Sequence, residues 1–287
     1  MTPENPSQSS VQSTVIPDPA YAVKTWRYLR LAMIGLVLGL GAAVLFERAK
    51  THHGCFQTSI SAYYYTPAHA YFVGALIGIA VCLVCLRGST GTEDVLLNIA
   101  GMFAPIVAFV PTPGPGKCAS FLEAAHGLNR NIANNVFALL VVGAVALVVA
   151  GILTWRNERT RPALVGYTAA LFICIATALV FALARHFLAG HAHYTAAVLM
   201  FGCILIVALN NAFGYKWKGR GESLKNRYMA IAVAMVASAV GVGLAGLLGW
   251  RYWTIAIETA LITLFAVFWA VQTRELWRPG LRVEGGR

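Results

Sequence analysis

Eight apolar runs follow one another along the chain, and their length constrains the fold more than any motif does. They are Leu29–Phe46, Ala70–Leu86, Val95–Pro111, Ala133–Trp155, Ala163–Ala184, Tyr194–Phe213, Tyr228–Trp250 and Thr254–Thr273. A hydrocarbon layer about 30 Å thick is crossed by a helix of about 20 apolar residues, with a range of about 17 to 25. Each run fits that window. The third fits least well, because it is short and Pro105 removes a donor from its hydrogen-bond ladder. Alternating strands of about ten residues, the signature of an outer-membrane barrel, do not occur. The expected fold is all-α: a polytopic bundle of eight transmembrane helices. Composition agrees, since only 11% of the 287 residues are charged and the mean hydropathy is +0.67, against roughly 25% charged in soluble domains.

The flanks divide the chain further. Residues 1–28 are rich in Ser, Pro, Thr and Gln and read as a disordered tail. Residues 29–277 form the membrane domain and residues 278–287 a short C-terminal tail. The first apolar run is preceded by Lys24 and Arg27 and begins around Arg30, the pattern of a retained first helix with a cytoplasmic N-terminus. With that start, 16 of the 22 Lys and Arg residues fall on the cytoplasmic side and six on the outer side. The bias predicts both termini inside, in a bacterial plasma membrane. It also accounts for the net charge of +11: the basic loop "YKWKGRGESLKNR" sets topology and meets anionic headgroups. No nucleic-acid-binding motif accompanies it.

Polar residues gather on one side of this topology. His52, His53 and His69 lie in or beside the first outer loop, His126 in the second, and His186, His191 and His193 in the third. Glu258 is the only carboxylate inside a predicted span and sits near its outer end, on the same side of the topology as Ser59 and Ser61. An ionisable residue in a span is a candidate functional group. Imidazoles with a nearby carboxylate can hold zinc, which assigns His126, His191 and His193 as candidate metal ligands. Glu258 is then the candidate general base and Ser61 the candidate oxyanion donor. The plainer reading makes the histidines interfacial polar residues and Glu258 a wetted carboxylate. Tyr63, Tyr64 and Tyr65 suit the membrane–water interface, and the loop that carries them is expected to fold over an outward-facing pocket.

Small residues at four-residue spacing, Gly35 and Gly39, Gly74 and Gly78, and Ala237, Gly241, Ala245 and Gly249, read as helix-packing stripes. Cys82 and Cys85 read as apolar packing. Cys55 and Cys118 are the only loop cysteines, both on the outer side, and make a candidate disulfide.

Several short motifs carry a resemblance. Ile60-Ser61, "VPTPGP" after the third run, His126-Gly127, and "FAVFWAVQTRELW" at the end of the last run resemble a group of uncharacterised bacterial multi-pass membrane proteins. Pro113 stands here where that group has Asp, and Arg130 where it has a second His. Ser61, His126, His193 and Glu258 also loosely resemble the Ser, His and Asp cluster of the seven-helix ceramidase and progestin-receptor-like superfamily, which surrounds zinc. That likeness implies metal-assisted hydrolysis of a lipid amide or ester. A lipid or small-solute transporter and a non-enzymatic membrane subunit are the alternatives, with membrane lipids as the partners common to all three.

The disulfide expectation has a direct test. In intact membranes an impermeant maleimide should label Cys55 and Cys118 only after reduction. Labelling without a reductant would refute the bond.

Overall fold

The computed structural model describes residues 19–51, 57–113, 128–157, 159–213 and 222–277. Among them are eight α-helices and no strand: α1 (Pro19–Lys50), α2 (His69–Cys85), α3 (Gly91–Phe109), α4 (Leu128–Asn157), α5 (Arg161–Leu183), α6 (Arg185–Phe213), α7 (Glu222–Leu247) and α8 (Trp253–Leu276). Seven are long and apolar enough to cross a membrane; α2, at 17 residues, is the shorter exception. At a rise of 1.5 Å per residue α2 spans about 25 Å. The buried 3-10 turn Ser61–Tyr65 precedes it.

The consecutive helices α1, α2 and α3 alternate in direction, and side-chain contacts fix which ends meet. Trp26 Nε1 donates to Arg87 O, placing the start of α1 beside the end of α2. The Tyr65 hydroxyl donates to Thr112 O, placing the start of α2 beside the end of α3. The Arg27 guanidinium lies over the Trp277 ring. The first and last helices therefore begin and end at the same end of the bundle.

The core is formed chiefly by α1, α2, α3, α6 and α8. Its stripes show the helical spacing directly: Trp26, Arg30, Met33, Val37, Leu40 and Val44 of α1 are buried, three or four apart. In α6 the buried stripe starts at Leu188 and runs through His193, Ala196, Met200 and Ile204 to Asn211. In α8 it includes Phe265, Phe268, Trp269 and Gln272. By contrast α5 has no buried residue. Phe137, Val142, Val145 and Val148 of α4 are exposed, as expected of helices whose outer faces meet lipid.

Three differences from the sequence-based boundaries matter. Helix α1 starts at Pro19, inside the segment read as tail. Helix α3 passes through Pro105 without ending. It starts at the Thr90 N-cap, whose hydroxyl accepts Glu93 N–H at 3.1 Å. Helix α6 starts at Arg185, separated from α5 by Ala184 alone, so the segment assigned to a third outer loop is helical. Packing also refines the glycine stripes. A Cβ at Gly39 would overlap the Tyr71 ring, and one at Gly78 would reach Leu36 at 2.8 Å, whereas Gly35, Gly74 and Gly241 face open space. Gly249 has φ +88° in the turn after α7, a left-handed conformation that favours glycine.

A buried polar cluster closes the end where the bundle's first helix starts. Glu93 Oε1 accepts Gln272 Nε2 at 2.9 Å and Asn211 Nδ2 at 3.5 Å, and Oε2 accepts Ser89 N–H at 3.0 Å. Arg30, fully buried nearby on α1, lies 3.6 Å from the Trp26 ring centroid and 5.3 Å from that of Trp269. Glu93 thus ties α3 to α6 and α8. Glu93→Ala should lower stability by roughly 1–3 kcal/mol, because it strands buried amide donors. Thermal unfolding in detergent measures the loss, and Glu93→Gln should lose less.

Candidate functional site

The opposite end of the bundle is filled by the chain between α1 and α2. Gln57, Ser59, Ile60, Ser61, Ala62, Tyr63, Tyr64, Tyr65, Thr66 and Ala68 are all buried. Non-helical backbone at this depth must find its hydrogen bonds within the protein, and this strap does. Thr58 O accepts Ile255 N–H at 2.9 Å. Ile255 lies in the first turn of α8, where backbone donors have no partner within the helix. Ser59 Oγ lies 2.8 Å from both carboxylate oxygens of Glu258 and donates to them, while Ile60 N–H donates to Oε2. Ser59 Oγ also accepts Ser61 N–H at 3.0 Å.

Ser61 and His193 meet deeper in the same end. Thr112 N–H donates to Ser61 Oγ at 3.0 Å, and Ser61 Oγ lies 3.5 Å from His193 Nδ1. His193 Nδ1 is also 2.8 Å from Val110 O. A carbonyl only accepts, so Nδ1 carries the proton and donates to it. This tautomer follows from the bonding pattern, and it means that Nδ1 cannot take a proton from Ser61. The pair therefore lacks the nucleophile–base relationship of a hydrolase. Its work is to hold the strap against the chain that leaves α3.

The tyrosines differ from expectation. Tyr63, Tyr64 and Tyr65 are 1%, 6% and 2% exposed and pack into the core rather than lying at the bundle surface. Tyr64 meets His69 and Phe72 edge-on, and Tyr65 bonds Thr112 O at 3.0 Å. Burial pushes the Tyr65 phenol up to about 12, so it stays a donor. The mouth that the sequence marked as a pocket is occupied by its own loop.

The structure brings Glu258, Ser61 and His193 into one network, with Ser59 as the link between Glu258 and Ser61. It does not bring His191 to His193. Two residues apart on a helix are turned by about 200°; His193 is buried, while His191 is exposed and stacked on Phe187 at 4.6 Å. The His-x-His spacing would suit a metal in an extended loop, and the helical backbone of α6 separates its two rings. His126, Cys55 and Cys118 lie outside the described residues. Among the described residues no group of three His, Cys, Asp or Glu side chains is placed to hold a metal ion.

Sequence reading passed over Glu93, Asn211 and Gln272, which form the buried cluster at the other end. A signal for Glu93 was present: Thr90-x-x-Glu93 before an apolar run is a capping-box pattern.

Two measurements test this description. Glu258→Ala should expose residues 57–66 to faster amide exchange, with Ser59→Ala producing a smaller change in the same segment. A fluorophosphonate probe should leave Ser61 unmodified; rapid labelling there would show an activated serine. Comparison of the chain with protein-family models, with curated proteins and with solved structures finds no match, so the functional reading rests on this geometry.

Proposed function

We propose that this chain is an eight-span protein of a bacterial inner membrane, with both termini cytoplasmic and the strap end outside, and that it holds a membrane lipid in a lateral cleft. The topology is supported by the 16-to-6 distribution of Lys and Arg and by the shared position of the first and last helix ends. Helix α2 counts as a span in this reading because the buried strap carries the chain on where its 17 residues stop.

The observation that carries the lipid reading is a cleft of about 1160 Å³ between α1, α7 and α8. Its walls are largely aliphatic, including Leu38, Leu45, Ala234, Ile255 and Leu264, with Ser238, Thr259 and Thr263 as hydroxyls and Trp250 and Tyr252 at the strap end. Apolar walls offer an acyl chain close contacts without stranding a polar group. Trp and Tyr at one end match the headgroup depth. Hydrolysis of a lipid is the less favoured activity, since Ser61, His193 and Glu258 are bonded to the strap and to neighbouring backbone.

The two parts of the proposal are tested separately. Reporter fusions at Gly219 and at the C-terminus should both read cytoplasmic, and a fusion in the segment between α3 and α4 external; an external C-terminus would refute the topology. For the cleft, Gly41 is the informative position, because it lines the wall and a Cβ there would meet nothing within 4 Å. Gly41→Phe should fill the space, leave thermal stability near wild type and reduce lipid retained through detergent purification severalfold. Unchanged retention would sink the cleft.

A further inference from the structure

We propose that the cleft between α1, α7 and α8 selects an anionic glycerophospholipid, whose acyl chain lies along the cleft and whose phosphate is met by Arg251 at the strap end. This rests on the lipid-cleft reading above and adds the headgroup chemistry.

Charge placement argues for it. Arg251 lies in the turn between α7 and α8, between Trp250 and Tyr252, both of which line the cleft. Its side chain is exposed and its guanidinium stacks 5.3 Å from the Tyr252 ring centroid. Stacking on an aromatic face holds the guanidinium plane while its N–H groups remain available to phosphate oxygens in a two-pronged geometry.

On α1, Gly41 and Leu45 line the cleft, and Lys50 is turned about 180° from Gly41. Arg48 is half-buried and already engaged, with its charge near Tyr63 of the strap. No Asp or Glu is among the lining residues. The Glu258 carboxylate, on the neighbouring face of α8, is engaged by Ser59 and Ile60.

The distribution of cations strengthens the case. The charge bias that sets topology leaves only six Lys and Arg residues for the strap side, and Arg251 is one of them. A cation near the surface favours an anionic headgroup by roughly 1 kcal/mol, or about fivefold in binding.

Native mass spectrometry of the detergent-purified full chain, incubated with phosphatidylglycerol or phosphatidylcholine of identical acyl chains, tests this. Wild type should retain phosphatidylglycerol at least about fivefold better. Arg251→Gln should abolish that preference while still binding both lipids, and Lys50→Gln, on the opposite face of α1, should keep it. Equal retention of the two lipids by wild type would overturn headgroup selection and leave the cleft intact. An equal loss of preference in Lys50→Gln would overturn the Arg251 assignment in favour of general surface charge. If wild type retained neither lipid, or Gly41→Phe retained both like wild type, the cleft itself would fall and the headgroup site with it.

Discussion

Backbone groups that leave a helix inside a bilayer-spanning bundle must still be paired, and the strap between α1 and α2 depends on how this protein meets that requirement. Glu258 supplies acceptors for Ser59 and Ile60, Thr58 caps the first turn of α8, and the hydroxyl of Ser61 accepts Thr112 N–H. The first two join the strap to α8 and the third joins it to the chain that leaves α3. The carboxylate in the last helix is therefore best understood as a fastening. It satisfies polar groups of a segment almost two hundred residues earlier, and that segment in turn seals the space between α2, α3, α6 and α8.

The same helices are tied again at their other ends. Glu93 of α3 receives Asn211 of α6 and Gln272 of α8. Gln272 lies fourteen residues from Glu258, about 21 Å along α8, with Phe265, Phe268 and Trp269 buried between them. Polar ties at both ends and an apolar belt between them fix the register of α3, α6 and α8. Helices α4, α5 and α7 present much more of their side chains outward. The lateral cleft forms where α7 meets α1 and α8, and its aliphatic walls are suited to lipid for the same reason that the trio's interior is not: no buried donor or acceptor there asks for a partner.

Much of the helical plan was legible in sequence because the bilayer sets a simple length rule, and runs of apolar residues obey it. The misplaced boundaries have physical causes. Apolarity marks where a helix meets hydrocarbon, and polar helical turns continue past that limit. Residues 185–193 contain three histidines and an arginine and read as a loop, although nothing in them breaks a helix. Once they are helical, His191 and His193 diverge, and the metal reading loses a pair of ligands. Pro105 was expected to weaken α3, but the missing donor did not end the helix among its packed neighbours.

Sequence alone determined the all-helical class and the nearly complete set of membrane-spanning lengths, and it singled out Glu258, because each follows from local composition and from the cost of a charge among apolar neighbours. Only the tertiary structure decided what that charge does. The partners of Glu258 come from a connecting segment with no periodic pattern, and the side-chain partners of Glu93 come from helices more than a hundred residues away. The tautomer of His193 depends on a carbonyl of α3's C-terminal end. Such pairings are set by which helix ends meet, and that is a property of the assembled bundle rather than of any one run of residues.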